Sequence, residues 1–341
     1  MKLFLKRLLS FLFVLIILLV IKYISIEPEI ANKIYYAKYI DYLSQTETKD
    51  YNTLIFGSSR IYRHVNPEYF DSLNIELNIS SYNLGAPATF NPELYYLYDR
   101  FLDDYEKGLI NDNIKFTFIE LQRINNLTID NALSEQGSYW NNLENLSYSV
   151  SYINEFDRRN KFKMKLLINY FISFFTNVSS IYNQSVYLSE KTDLMNNGYI
   201  SLEQEVDELH SLDLNERREN FKTNPEELFL RTTYVTNQSI EELKEGLIIK
   251  SLETKLKGLI NRSNNLGIKT YLIIPPRQEK DTYKDVLPLL DILKDNIISL
   301  VSITDHPELY DLNNSFDVGH LNDNGTKFFT KYLSDNFKKL Y

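Results

Sequence analysis

The sequence contains no cysteine, and that absence excludes several classes of site at once. Without a thiol the chain can form no disulfide, no thiolate metal site, no cysteine nucleophile and no lipid-modified N-terminal cysteine. Histidine is also scarce, with four residues, and none of them forms an HExxH motif or a pair with metal-ligand spacing. The composition therefore argues against a metal centre, and we expect no cofactor.

Basic residues are also fewer than acidic residues. The chain has 37 Lys and Arg residues against 46 Asp and Glu residues, which gives a formal net charge of -9. Because binding to phosphates requires a basic surface, this balance argues against a nucleic-acid partner. A hydrophobic content of 43% over 341 residues is enough for one large α/β domain or two small ones.

One long hydrophobic run is present, and it lies at the N-terminus. Three cations in the first seven residues precede an uncharged stretch over 8–21, which reaches bilayer length if Lys22 snorkels. A cleaved signal peptide is the alternative, but no small-x-small cleavage site follows. The pattern predicts a single transmembrane anchor over 1–25, a stalk over 26–50 and an extracytoplasmic domain over 51–341.

The domain alternates between strand and helix patterns, which is typical of a parallel α/β sheet. Several segments between 131 and 238 have helical spacing and little strand character, so this region is predicted to be a helical insertion. Apolar runs predict strands at 53–56, within 81–88, at 115–121, at 269–274 and at 297–303. Periodic segments predict helices at 92–107, at 281–293 and at 324–340, and one long helix that opens with a capping box at 239–242 and ends near 266.

The strand at 53–56 stops abruptly at Gly57, which is followed by Ser58 and Ser59. A glycine at this point lets the backbone turn sharply and lifts a serine hydroxyl off the carboxyl edge of the sheet. That edge is where α/β enzymes carry their functional groups. The alternative is that the two serines only cap the following helix.

A carboxylate and a histidine lie near the other end of the chain, because Asp317 stands three residues before His320. A serine hydroxyl becomes a good nucleophile when an imidazole takes its proton and a carboxylate orients that imidazole. His64 is a rival base, but it follows Ser59 by five residues, and the helix after the serines would carry it away from the hydroxyl. The sequence therefore contains the three residue types of a catalytic triad.

Three segments together resemble the SGNH (GDSL-like) hydrolase superfamily. They are the letters GSS at 57–59, NLG at 83–85 and DVGHLNDNG at 317–325, which are similar to the first, second and fifth blocks of that family. The similarity is greatest to its membrane-anchored bacterial branch, which includes polysaccharide O-acetylation proteins and teichoic acid D-alanine transfer proteins. It implies a three-layer, flavodoxin-like parallel sheet.

The resemblance also implies a role for each matching residue. Ser59 is the expected nucleophile, with Ser58 as the alternative, while His320 is the expected base and Asp317 the residue that orients it. The amides of Ser59 and Gly85 are expected to bind the oxyanion.

The third block of the family, Gly-x-Asn-Asp, is missing after the strand at 115–121. Gln122 or Asn125 is the candidate for the amide donor that this block would supply. Arg60, directly after the serines, and Arg277, at the end of the strand at 269–274, are the candidates for binding an anionic group of the substrate.

These observations predict a serine-dependent acyl ester hydrolase or O-acyltransferase that acts on an extracytoplasmic envelope polysaccharide, with acetyl as the expected acyl group. A membrane acyltransferase is a further expected partner. The main alternative is a non-catalytic assembly protein that keeps the same fold in a polymer-modifying system. An esterase directed at lipids is a third possibility that only the anchor favours.

Overall fold

The structure is a computed structural model of the full chain. It describes residues 2–25, 34–46, 48–110, 113–124, 133, 140–156, 159–179, 196–226, 237–276 and 283–341. The strands are β1 (Thr53–Phe56), β2 (Ser81–Asn83), β3 (Phe116–Glu120), β4 (Lys269–Ile274) and β5 (Ile297–Ser299). The helices are α1 (Lys2–Ser25), α2 (Ile34–Gln45), α3 (Ser59–His64), α4 (Pro67–Leu73), α5 (Glu93–Glu106), α6 (Leu143–Glu155), α7 (Asn160–Ser179), α8 (Leu202–Leu209), α9 (Leu212–Thr223), α10 (Asn237–Lys244), α11 (Lys250–Asn265) and α12 (Asp323–Leu340).

The five strands form one parallel sheet in the order β2-β1-β3-β4-β5. Their apolar side chains are buried because both faces of the sheet are covered, which explains why the strands read as continuous apolar runs. This order is that of a flavodoxin-like α/β fold, as expected. The order reverses between β1 and β3, and in such sheets the carboxyl ends at the reversal form a crevice.

Neighbouring residues of β3 show that helices cover both faces. The ring of Phe118 lies 5.6 Å from Phe70 of α4 and 5.3 Å from Phe337 of α12, measured between centroids. Thr117 points the other way, and its hydroxyl lies 2.8 Å from the Tyr98 hydroxyl of α5. Because successive side chains of a strand alternate between faces, α4 and α12 form one outer layer and α5 belongs to the other.

Every named element of the structure between β3 and β4 is a helix, from α6 to α11. This agrees in character with the helical insertion expected over 131–238. The long helix expected from 239 to 266 is instead two helices, α10 and α11. The break is at Gly246, whose N–H donates to the Leu243 carbonyl in a turn that ends α10.

Two further elements are shorter in the structure than the sequence predicts. The segment that was predicted as a helix over 281–293 contains only a short 3-10 helix at Leu287–Leu289 among its described residues. Pro288 lacks the N–H that a longer helix would need. The last strand is also shorter than predicted and ends at Ser299.

The predicted transmembrane anchor over 1–25 is not found. The segment forms α1, but no helix in the described ranges is both long enough and apolar enough to cross a membrane.

The predicted stalk over 26–50 contains α2, which packs onto the α/β domain instead of standing apart from it. Tyr39 and Tyr42 are fully buried there. The Tyr39 hydroxyl donates to the Asp104 carboxylate over 2.9 Å, and the Tyr42 ring lies 5.4 Å from the ring of Tyr82 in β2. Tyr39 and Tyr42 therefore belong to the core of the domain.

We expect Phe337→Ala to destabilise the domain strongly. Phe337 is fully buried, and its ring contacts those of Phe70, Phe118 and Tyr271, so truncation leaves a large cavity. A loss of about 3–5 kcal/mol in the free energy of unfolding is expected, measured by denaturant titration. The exposed control Leu212→Ala is expected to change it by less than about 0.5 kcal/mol. Equal losses in both variants would contradict this account of the core.

Candidate active site

The candidate site lies where β1 ends and the order of the sheet reverses. β1 runs directly into α3 through Gly57, and this close approach requires a glycine. A Cβ atom on Gly57 would lie 2.2 Å from the Cγ1 atom of Ile61 in α3, which is far inside van der Waals contact. The chain can therefore turn from strand to helix within two residues and present a serine at the carboxyl edge.

The two serines of this turn have different surroundings. Ser58 is buried and caps α3, since its Oγ accepts the N–H of Arg60 over 3.3 Å. Its own N–H donates to a carboxylate oxygen of Glu120 over 2.6 Å. Ser59 is the first residue of α3 and is half-buried, so its hydroxyl is available at the edge of the sheet. The capping role that was considered for both serines falls to Ser58.

The structure brings Ser59, His320 and Asp317 together in one hydrogen-bonded chain. The Nε2 atom of His320 lies 3.0 Å from Ser59 Oγ. On the other side of the ring, Nδ1 lies 2.9 Å from Asp317 Oδ1 and 3.1 Å from Oδ2. In the tautomer that suits these contacts, Nδ1–H donates to the carboxylate and Nε2 accepts the serine hydroxyl.

The loop that holds Asp317 and His320 is fixed by its own hydrogen bonds. The N–H of Phe316 donates to the carbonyl of His320 over 2.9 Å, and the N–H of Gly319 donates to Asp317 Oδ1 over 2.7 Å. Asn322 then caps α12 with its side-chain oxygen. The spacing of three residues between carboxylate and imidazole thus corresponds to a tight turn at the start of a helix.

Burial and nearby charges set the protonation of the pair. Burial alone would raise the pKa of Asp317, but the hydrogen bond and charge of His320 and the N–H of Gly319 hold that pKa below its ordinary value. Burial lowers the pKa of His320; Asp317 acts in the opposite direction, and the cations of Arg60 and Arg63 lower it further. The imidazole is therefore neutral near pH 7 and able to accept a proton.

His64 holds the loop and does not compete with His320 as the base. Its Nε2 atom accepts the N–H of Leu321 over 2.9 Å, one residue beyond His320. The two imidazole rings lie 6.0 Å apart between centroids. His64 therefore joins the helix that carries Ser59 to the loop that carries His320.

An ion pair joins α3 to the helical insertion. Arg63 donates to both carboxylate oxygens of Glu205 in α8, over 2.8 and 3.0 Å, and both side chains are buried. The Tyr62 hydroxyl donates to the same carboxylate over 3.3 Å. Because a bidentate arginine–carboxylate pair fixes two side chains in one orientation, α8 is held beside the nucleophile helix.

Two of the expected oxyanion donors bind other acceptors in the structure, and a third lies outside the described residues. The N–H of Gly85 donates to the side-chain oxygen of Asn83 over 2.9 Å, so it is already engaged. The side-chain amide of Gln122 is directed at the carbonyl of Thr89 over 3.5 Å. Asn125, the other candidate amide, lies outside the described residues.

Of the two arginines expected to bind an anionic group, Arg277 also lies outside the described residues. Arg60 is half-buried beside the catalytic loop. Its Nη2 atom lies 3.9 Å from the position that a Cβ atom on Gly319 would occupy.

Sequence reasoning missed two charged residues that border this site. Glu120 ends β3 and accepts the N–H of Ser58. Lys38 of α2 is fully buried, donates to the carbonyl of Gly85 and lies 4.2 Å from the ring centroid of Tyr62. Neither stands in a recognisable motif, because both reach the site through the tertiary fold. In the described ranges, no group of three or more His, Asp or Glu side chains could hold a metal ion.

We expect His320 to titrate below its ordinary pKa of 6.5. Because the cation of Arg60 contributes to this lowering, Arg60→Gln is expected to raise the pKa of His320. The measurement is an NMR titration of the four histidine rings. Arg262→Gln serves as the matched control, since Arg262 binds Asp103 and Glu106 and leaves His320 unaffected. A wild-type midpoint at or above 6.5 would contradict the electrostatic account.

We expect His64→Leu to destabilise the fold, because the buried N–H of Leu321 loses its acceptor. An unsatisfied buried donor costs about 1–3 kcal/mol in the free energy of unfolding, which urea titration measures. His64→Gln is the matched variant, since its amide oxygen can accept the same N–H and should restore part of the loss. A leucine variant as stable as the wild type would show that this contact does not hold the loop.

Comparisons with known proteins assign no family. The sequence matches no protein-family model, and a search of curated proteins finds no significant match. The resemblance to SGNH hydrolases therefore stays a prediction from the motif residues.

Proposed function

We propose that this protein is a serine-dependent acyl ester hydrolase or O-acyltransferase of the SGNH type. The observation that carries the proposal is the hydrogen-bonded chain from Ser59 through His320 to Asp317, with distances of 3.0 and 2.9 Å. These three residue types at these distances form a nucleophile, a general base and a group that orients the base. The position of the site at the reversal of strand order supports the same proposal.

In the proposed first step, Ser59 Oγ attacks the carbonyl carbon of an acyl ester, while Nε2 of His320 takes the hydroxyl proton. The resulting imidazolium is stabilised by the carboxylate of Asp317. The tetrahedral intermediate then collapses, the ester C–O bond breaks, and His320 returns the proton to the leaving alkoxide. An acyl group on Ser59 and a free alcohol are the products of this half-reaction.

In the second step the acyl group leaves Ser59 for an acceptor hydroxyl. His320 takes a proton from that hydroxyl, whose oxygen attacks the acyl carbon, and then returns the proton to Ser59 Oγ. With water as acceptor the protein is a hydrolase, and with a sugar hydroxyl it is an O-acyltransferase. The neutral imidazole that results from the lowered pKa of His320 supports both outcomes.

The proposed substrate is an acylated envelope polysaccharide, with acetyl as the acyl group. The substrate and the membrane acyltransferase partner come from the resemblance to the bacterial branch of the family, whereas the extracytoplasmic location comes from the charge pattern of the N-terminus. All three stay predictions. Arg60 beside the catalytic loop is a suitable residue to bind an anionic group on such a polymer.

The alternative function is a non-catalytic assembly protein with the same fold. The observation that favours it is the state of the oxyanion donors. The N–H of Gly85 is engaged by Asn83, and the side-chain amide of Gln122 is engaged by Thr89. An acyl-transfer enzyme needs donors aimed at the developing oxyanion, and these two amides bind other acceptors instead.

We expect a fluorophosphonate probe to label the full-length protein at Ser59. Ser59→Ala should abolish the labelling and lower any esterase activity toward acetylated sugars by a factor on the order of 10⁴ or more. Mass spectrometry of the labelled peptide identifies the serine.

Ser58→Ala is the matched control for this experiment. It removes the cap of α3 at a cost of about 0.5–2 kcal/mol in stability, and it should leave the labelling of Ser59 in place. A wild-type protein that takes up no label, or takes it up at Ser58, would favour the assembly protein over the enzyme.

A further inference from the structure

Helix α7 of the insertion exposes a stripe of large apolar side chains. Met164, Ile168, Phe171, Ile172 and Phe175 are between 44% and 58% exposed. Their spacing of three, four and seven residues places them on one side of the helix. We call these five residues the α7 stripe. A contiguous group of exposed large apolar side chains marks a candidate site of interaction.

The opposite side of the same helix is already packed. Leu166, Tyr170 and Ser173 are buried, and the Tyr170 ring lies 5.8 Å from the ring of Trp140. The helix also packs against α6. Folding of the domain therefore uses one side of α7 and leaves the α7 stripe uncovered.

Helix α1 extends this apolar surface, because it lies against α7. Between residues 4 and 17 all of its large apolar side chains are exposed, and Phe4, Phe11 and Phe13 are more than 60% exposed. The two helices thus present apolar side chains next to each other, and no described part of the domain covers them.

The charges of these two helices have one sign only. The protein as a whole is acidic, with a net charge of -9. In contrast, α1 and α7 contain no aspartate or glutamate, and their charged residues are all cations. These are Lys2, Lys6, Arg7 and Lys22 in α1, and Lys161, Lys163 and Lys165 in α7. On α7, an apolar stripe on one side of the helix with lysines beside it is the pattern of a helix that lies on an anionic bilayer.

We propose that the α7 stripe, next to the exposed apolar side chains of α1, binds the surface of a lipid bilayer that contains anionic phospholipids. Apolar side chains enter the acyl region, and the exposed Lys161 and Lys165 contact the headgroup phosphates. A second copy of this chain is a poorer occupant, since it would place the same cations opposite each other. This inference does not depend on the proposed chemistry at Ser59.

The absence of cysteine allows a direct test in the full-length chain. A single cysteine, Ile168→Cys, is labelled with the environment-sensitive fluorophore NBD and mixed with vesicles of phosphatidylglycerol. We expect a severalfold rise in emission with a shift to the blue, and quenching by lipids that carry a nitroxide on the acyl chain. Because the probe reports on its own surroundings, binding by α1 alone does not produce this signal.

The matched control is Leu212→Cys, at the start of the charged helix α9, where Leu212 is 83% exposed. It should not respond to vesicles. With the label at 168, the double variant Phe171→Glu and Phe175→Glu should lose most of the response, and circular dichroism checks that it remains folded.

Several outcomes would overturn the proposal. One is an NBD emission at residue 168 that rises no more with vesicles than the emission at residue 212. Another is a response at residue 168 that persists in the variant with Phe171→Glu and Phe175→Glu. An equal response to vesicles of phosphatidylcholine would overturn the role of anionic lipid. A signal that grows with protein concentration in the absence of vesicles would show that a second copy covers the α7 stripe.

Discussion

The contact between Ser59 Oγ and His320 Nε2 joins two residues that are 261 positions apart, and the rest of the site depends on it. Hydrogen bonds between α3 and α12 keep these two helices in place. The hydroxyls of Thr326 and Thr330 donate to the carbonyls of Arg63 and His64, and the imidazole of His64 accepts the N–H that follows His320. The packing of α3 against α12 thus sets the 3.0 Å distance between Ser59 Oγ and His320 Nε2.

Much of the sheet could be predicted from the sequence, because a parallel strand buried on both faces must be an apolar run, and five such runs stand between turn residues. Helix lengths were harder to predict. The apolar spacing around Gly246 continues through a point where the backbone turns, so periodicity alone joined α10 to α11. Tyr39 and Tyr42 of α2 lie within the predicted stalk, and only the tertiary fold shows that they are buried, with ring centroids 6.1 Å apart.

The residues of the site likewise fall into those that a local sequence pattern predicts and those that only the fold brings together. The serine turn and the Asp-x-x-His segment are local patterns, so Ser59, Asp317 and His320 could be proposed before any coordinates were known. The supporting residues could not, since each acts across a long separation in sequence. Arg63 meets Glu205 over 142 positions, and Lys38 meets Gly85 over 47. Nothing near either residue in the sequence indicates its partner, because only the completed fold brings them together.

The Arg63–Glu205 pair sets a limit on how this architecture can be reshaped. A substitution that neutralises Glu205 while α8 stays in place leaves a guanidinium enclosed in the nucleophile helix. An uncompensated buried charge of that kind is strongly destabilising. Positions 63 and 205 can therefore change only together, which couples the composition of α3 to that of α8. Homologues without a carboxylate at position 205 that keep α8 should carry a neutral residue at position 63.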